Sequence, residues 1–383
     1  MCLRPALSSP TNRAQTPRAC DKISVRDYPA GDSAGQSKAK TNVSESWREL
    51  VSIVEGGAGL TRIQSAQLFE SLMTGEIPPD DIERLLRLLA TRGVSVDELV
   101  GAAEVMRRHV TPIHCDAPNA IDTCGTGGDG ISTFNVSTAA ALVASAAGAV
   151  VAKHGNRTNT RASGSAEVLQ TLGVNIDASP AVVERCIREI GIGFLFAAKL
   201  HPAMAIVKDI RRKIGKPTIF NLLGPLTNPA KVRRQIIGVP QIELVEKVAA
   251  ALAELRTDLA FVVHGHDGLC DLTVCDQSTV GEVHDGRVTL NKIDPLDLGL
   301  PRASLDDLRV SSPDESAAII RAILDGKSGP RRNHMLLNAA LALVAAGIAN
   351  DLPDGIDRAA RAVDSGAARQ KLAHLAELSG AAE

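Results

Sequence analysis

Residues 120–157 read AIDTCGTGGDGISTFNVSTAAALVASAAGAVVAKHGNR, and the grammar of this stretch decides the fold class. A short apolar run, Ala120–Asp122, enters a loop that carries Gly125, Gly127, Gly128 and Gly130. A hydroxyl-rich segment follows, then an alanine-rich helix from about Ser137. A second apolar run, Ala149–Ala152, leads into a second polar loop, Lys153-His154-Gly155-Asn156-Arg157. Strand, helix and strand in that order imply parallel pairing, with helices covering the sheet.

The same alternation continues downstream. Helical spacing marks Ser165–Leu172, Val182–Ile190, Ala203–Ile214 and Gln241–Arg256, and strand-like runs lie at Gly193–Ala197 and Leu259–Val263. Thr279–Leu290 reads as a hairpin turning at Asp285-Gly286. Glu315–Gly326 and His334–Ala346 read as helices that close the domain. Upstream the grammar is different: apolar residues recur every three or four positions from Trp47, with amphipathic helices at Asp81–Ala90 and Asp97–His109. The chain is therefore predicted to be α/β, with a small N-terminal all-helical domain over 45–115 and a larger domain over 116–383 with a mainly parallel central sheet. A later helix near 203–215 is a candidate to complete the helical domain. Residues 1–44, rich in Ser, Pro, Ala and Arg, carry no hydrophobic period and predict a disordered tail.

Composition narrows the function. A formal net charge of -2 provides no positive field for nucleic acid, and 2% aromatics leave little for base stacking. The cysteines are odd in number, seven, and contain no CxxC, which argues against a zinc knuckle or a disulfide framework and suits a reducing cytosol. The most apolar run, near Ala139–Ala152, is too broken by Ser145 and Gly148 to suggest a membrane span. Arg4, Arg13 and Arg18 without a nearby acid leave an organellar transit peptide as the alternative to a dispensable extension.

The loops carry the chemistry. Clustered glycines let backbone amides approach phosphate oxygens, although a plain strand-to-helix turn uses the same residues. Ser137 or Thr138 can cap the following helix, whose positive end would face the glycine loop. Lys153, His154, Asn156 and Arg157 then gather cations and an amide at a second strand end, the place where open α/β sheets bind ligands. Thr158, Thr160, Arg161, Ser163 and Ser165 extend the polar run. Two such loops at successive strand ends point to a ligand with several phosphates.

In these residues the chain resembles the anthranilate phosphoribosyltransferase family. The matching motifs are GTGGD (Gly125–Asp129), NVST (Asn135–Thr138), KHGNR (Lys153–Arg157), SGSAEVLQTLG (Ser163–Gly173), HPAM (His201–Met204) and NLLGPLTNPA (Asn221–Ala230). The resemblance runs from about Trp47 to near Leu378. It implies transfer of phosphoribosyl from phosphoribosyl diphosphate to anthranilate, with Mg²⁺, usually in a homodimer. The diphosphate sugar would meet Gly125, Gly128, Asp129, Thr133, Asn135, Val136, Ser137, Thr138, Lys153, His154, Gly155, Asn156, Arg157, Arg161 and Ser165. Anthranilate would meet Gly125, Asn156 and Arg211, whose guanidinium suits a carboxylate; its bland alternative is a surface arginine beside Arg212 and Lys213. Ser137 would ligate Mg²⁺. His154 is a candidate catalytic group and equally a structural one.

One departure stands out. Where the family carries Asp-Glu as metal ligands, this chain has Cys270-Asp271. Mg²⁺ prefers hard oxygens, so Asp271 is retained as a candidate ligand, Cys270 is doubtful, and a second Mg²⁺ is in question. The departure keeps open a relative with another aromatic or base acceptor, and a ligand-binding paralogue without catalysis. Whether an amidotransferase partner binds is left open.

Overall fold

Helices begin where the sequence supplies caps. In the computed structural model, which describes Asp21–Asp27, 46–158 and 161–381, the first helices span Trp47–Glu55, Arg62–Met73, Pro79–Arg92 and Val96–His109. Ser46, Thr61 and Ser95 cap three of them, and Glu49, Gln64 and Glu98 return the bond; each capping box satisfies backbone donors the helix itself cannot. Leu50, Leu68, Phe69, Leu72, Leu85, Leu86 and Leu99 close on a common core. Glu98 is buried in it and is tolerated there because Arg92 and the N–H groups of Leu60 and Ser95 surround its carboxylate.

Chain far downstream joins that core. Val207, Ile210 and Ile214 come from the helix Ala205–Ile214, and Phe220 and Leu223 from the helix Ile219–Leu226. Lys213 pairs with Glu83 at 2.7 Å, and the rings of Phe69 and Phe220 meet edge-on at 5.9 Å.

The sheet has eight strands: β1 (Asp21–Asp27), β2 (Ile121–Gly125), β3 (Val151–Gly155), β4 (Ile192–Phe196), β5 (Arg234–Gly238), β6 (Leu259–Gly265), β7 (Ser278–His284) and β8 (Arg287–Ile293), in the order β1-β8-β7-β6-β5-β2-β3-β4. Strands β6, β5, β2, β3 and β4 run parallel; β7, β8 and β1 add antiparallel. Alternate residues feed opposite cores. Phe261 and Val263 of β6 face the core that includes the helix Val136–Ala146, and Ala260 and Val262 face the core shared with the helical layer. Every residue of β3 and β4 is buried, as expected of strands covered on both faces. The β7–β8 turn falls at Asp285-Gly286, both left-handed (φ 51° and 73°), which is the pattern of a tight hairpin turn.

Several readings need correction. Asp21–Asp27, inside the expected tail, is an edge strand paired with β8, and Arg26 holds Glu246 at 2.6 Å. The rest of residues 1–44 lies outside the described residues. β5 was not legible because RQIIG offers only two apolar residues after Arg234 and Gln235, yet it is central. The helix Ile219–Leu226, with Pro225 inside it, was also unread. The closing helices are Leu352–Asp364 and Ala367–Ser379, not only the two before them.

Candidate active site

β2 is the switch point of the sheet: β3 pairs on one side of it and β5 on the other, all parallel, so their carboxyl ends share one rim. Crevices at such points are where open α/β sheets place ligands. Gly125 ends β2 opposite Gly238, which ends β5. A Cβ on Gly238 would lie 1.6 Å from the Cys270 carbonyl oxygen, so only glycine lets the 267–273 loop cross that strand end.

Beyond β2, Gly127, Gly128 and Gly130 take left-handed φ of 65°, 92° and 68°, a region costly to side chains. Thr126 fastens the loop to β5, its N–H donating to the Gly238 carbonyl at 2.8 Å. Asp129 does not face solvent. Its carboxylate is fully buried, forms an ion pair with Arg161, and accepts from Ile131 N–H at 3.2 Å and Cys270 N–H at 3.3 Å. It thereby ties three loops together.

The next helix starts at Val136 with Asn135 as its N-cap residue, so Ser137 and Thr138 lie in its first turn and are not caps. Asn135 makes no capping bond because its amide is used elsewhere. Its Oδ1 accepts from Ser163 Oγ at 2.5 Å and Ser316 Oγ at 2.8 Å, and its Nδ2 donates to the Ser163 carbonyl at 3.2 Å. The Asn135 side chain thus does not cap the helix, and a helix N-terminus favours anions. Val136 is buried, and Thr133, also buried, bridges Arg309 through its backbone.

Lys153, His154 and Gly155 are not loop residues, as the sequence had suggested, but the buried last residues of β3. Lys153 Nζ donates to the Thr123 carbonyl and lies 3.3 Å from Thr123 Oγ1. Burial lowers the Lys153 pKa, against the pull of Cys124, Asp122 and Asp271. His154 donates its N–H to Asp122 Oδ1 at 3.0 Å, and its Nε2 lies 3.1 Å from Nε2 of His201. Burial, with His201 adding to it, pushes His154 down to about 3; burial alone pushes His201 to about 4. Both rings are neutral near pH 7. His201, from the HPAM motif, was not expected at the site; its histidine partner could not be seen from sequence.

Gly155 is required by packing, since a Cβ there would fall 2.3 Å from Ser165 Oγ and 2.7 Å from the Phe194 ring. Asn156 is exposed, its N–H donating to Ser165 Oγ at 3.2 Å. Arg157 turns toward Gln170, 3.2 Å away, and over the Phe196 ring at 5.9 Å. Arg211 lies over the Phe220 ring at 5.6 Å, with Asn221 Oδ1 3.5 Å from its Nη2, and burial lowers its pKa. Arg211 and Asn156 share no hydrogen bond among the described residues. The glycine loop does approach the segment after Arg211: Pro217 and Pro240 lie within 4 Å of where a Gly128 Cβ would be.

Gly125, Ser137, Cys270 and Asp271 line one small pocket at the rim, with Thr123 and Asn338. Burial raises the Asp271 carboxyl to about 7, with Asp129 and Asp267 adding and Arg161 and Lys153 opposing. Burial and Asp129 hold the Cys270 thiol well above its ordinary value. Asp122, Cys124 and His154 also place potential ligand atoms within 4.8 Å of one another. Both Asp122 oxygens are engaged there, by His154 N–H and by Asn228 Nδ2 at 2.8 Å, so this second cluster braces β2 against β3.

Residues 50–110 match the helical bundle domain of a glycosyl transferase family, and residues 117–369 match that family's a/b domain. The chain is 48% identical over 328 residues to an anthranilate phosphoribosyltransferase from Anaeromyxobacter sp. (strain K), covering 86% of this chain and 97% of the relative. It is 45% identical over 330 residues to the one from Symbiobacterium thermophilum, covering 86% and 97%. A crystal structure of anthranilate phosphoribosyltransferase from Thermus thermophilus superposes with a TM-score of 0.82 at 38% identity, over 87% of this chain and 99% of that one. The Saccharomyces cerevisiae enzyme in complex with PRPP and Mg superposes with 0.79 at 27% identity, over 87% and 98%.

Proposed function

This chain belongs to the anthranilate phosphoribosyltransferase family, and from that premise we propose how its residues divide the work of the reaction. It transfers the phosphoribosyl group of 5-phosphoribosyl 1-diphosphate to the amine of anthranilate, releasing diphosphate, in tryptophan biosynthesis. The observation that carries the assignment is the meeting of a left-handed glycine loop, an uncapped helix start and the end of β3 at one switch point. The amides around Gly127, Gly128 and Gly130, with the first turn at Val136–Thr138, receive the diphosphate. Lys153 lies beneath them as a buried positive charge, which a low-dielectric site makes effective against the leaving anion. Arg161 is held ready by Asp129.

Asn156 and Arg211 orient the acceptor. Arg211 is partly desolvated over Phe220, which strengthens its attraction for a carboxylate. An aromatic amine is largely neutral at pH 7 and attacks the anomeric carbon through its own lone pair. With His154 depressed to about 3, a strong base is not what the site offers; the neutral His154–His201 pair braces the end of β3. Ser137 and Asp271 fit Mg²⁺: they are oxygen donors facing one pocket, and the Asp271 carboxylate has no hydrogen-bond or ion-pair partner among the described residues. A bound Mg²⁺ would neutralise charge on the departing diphosphate.

The test is conversion of anthranilate, followed by loss of its fluorescence, with phosphoribosyl diphosphate and Mg²⁺. Arg211→Ala is expected to raise KM for anthranilate about tenfold or more, as loss of one charge-assisted contact implies, with KM for the diphosphate sugar little changed. Absence of phosphoribosylanthranilate from the wild-type chain would sink the reading. A homodimer is part of the proposal, tested by light scattering against twice the 40.1 kDa chain mass. Cytosolic location is proposed too; no helix among the described residues is long and apolar enough to cross a membrane.

A further inference from the structure

We infer that the pocket at the switch point takes a single divalent cation through Asp271 and Ser137, and that Cys270 supplies no ligand, so a second cation finds no protein donor of its own there. This rests on the family reading above and concerns the residues in which this chain differs from that family's pattern.

The first support is the state of Asp271. Asp271 is half-buried and lines the pocket without a hydrogen-bond or ion-pair partner among the described residues, so its carboxylate is open to a ligand there, and Ser137 and Gly125 line the same space. That arrangement suits one hard cation with the remaining positions left to substrate oxygens and water.

The second is what Cys270 does instead. Its backbone is pinned between the β5 end, where Gly238 admits its carbonyl, and Asp129, which accepts its N–H at 3.3 Å. Its Sγ lies 4.0 Å from the Gly127 carbonyl. Sulfur is a soft donor that Mg²⁺ avoids.

The third is that the neighbouring anions are already engaged. Asp129 is paired with Arg161. Asp267 accepts from Thr273 Oγ1 at 2.6 Å and Leu269 N–H at 3.2 Å. Asp276 is held by Arg302 at 3.3 Å and by Gln277 N–H at 2.7 Å. A second cation would therefore meet the positive charge of Lys153 with no unpaired carboxylate beyond Asp271 among the described residues that line the pocket.

The experiment counts bound Mn²⁺ by the loss of the free-ion paramagnetic resonance signal. Mn²⁺ is titrated into the full chain with equimolar phosphoribosyl diphosphate, against a protein-free blank. The expected result is one ion per chain beyond the blank in the wild type and in Cys270→Ser, two in Cys270→Asp, and none in Asp271→Asn. Two ions or none in the wild type would overturn the inference. So would an unchanged count in Cys270→Asp, or a sulfur-to-metal charge-transfer band when Co²⁺ replaces Mn²⁺. Turnover of anthranilate by the wild type is measured separately: its absence would refute the family activity, whereas a wrong ion count with normal turnover would refute only this inference.

Discussion

Replacing His334 by leucine is expected to stabilise the protein, increasingly so at acid pH. His334 lies in the helix Pro330–Ala345 with no exposure, and neither ring nitrogen has a hydrogen-bond partner among the described residues. Its ring meets Phe134 edge-on at 5.9 Å. Burying an unpaired polar group costs about 1–3 kcal/mol, and the lost ring contact returns about 0.5–1.5 kcal/mol of that. Leucine, similar in volume, should therefore gain about 1 kcal/mol near pH 7. The pH dependence follows from burial, which pushes His334 from 6.5 down to about 3. Below pH 6.5 the unfolded chain takes up a proton that the folded chain refuses until about pH 3. The wild type therefore loses about 1.4 kcal/mol of stability per pH unit in that window on account of this residue, and the variant does not. Between pH 7 and pH 5 the gap should widen by about 2 kcal/mol. Urea unfolding by far-ultraviolet circular dichroism at both pH values measures it. A variant no more stable than the wild type, or a gap that stays constant, would refute the reasoning and mean that the ring nitrogens are satisfied in the folded state.

Other substitutions test the loops. Gly238→Ala puts a methyl 1.6 Å from the Cys270 carbonyl; displacement of the 267–273 loop should cost at least about 1–3 kcal/mol and weaken cation binding, read by thermal unfolding and Mn²⁺ titration. Asp129→Ala strands a largely buried Arg161 and should cost about 3–5 kcal/mol, visible as a lower denaturation midpoint together with a higher KM for the diphosphate sugar. Deleting residues 1–45 removes β1 and bares the β8 edge; such edges invite pairing between chains, so size-exclusion chromatography should show concentration-dependent association absent from the full chain, with turnover retained.

The candidate site was proposed from local signals in the sequence. The glycines of 125–130 were legible as a loop with left-handed backbone, which the structure has at Gly127, Gly128 and Gly130, because backbone freedom is a local property. What the sequence could not show had partners far away. Lys153 and His154 read as loop residues, yet Thr123 and His201 enclose them. Asn135 read as a ligand contact, yet its amide is bonded to Ser163 and Ser316, the latter 181 positions on. Asp129 read as facing substrate, yet it holds Arg161 and the Cys270 amide, 141 positions away.

Taken alone, the sequence determined the capped helices of the first layer, the alternation that makes a parallel sheet, and the donor types at two successive strand ends. Periodicity, caps and glycine conformations act over a few residues, so they survive in the linear text. Only the tertiary structure decided that β5 lies beside β2, that β1 closes the far edge, and which charges are buried and paired. Those outcomes depend on strand order and on desolvation, which exist only after distant segments have packed together.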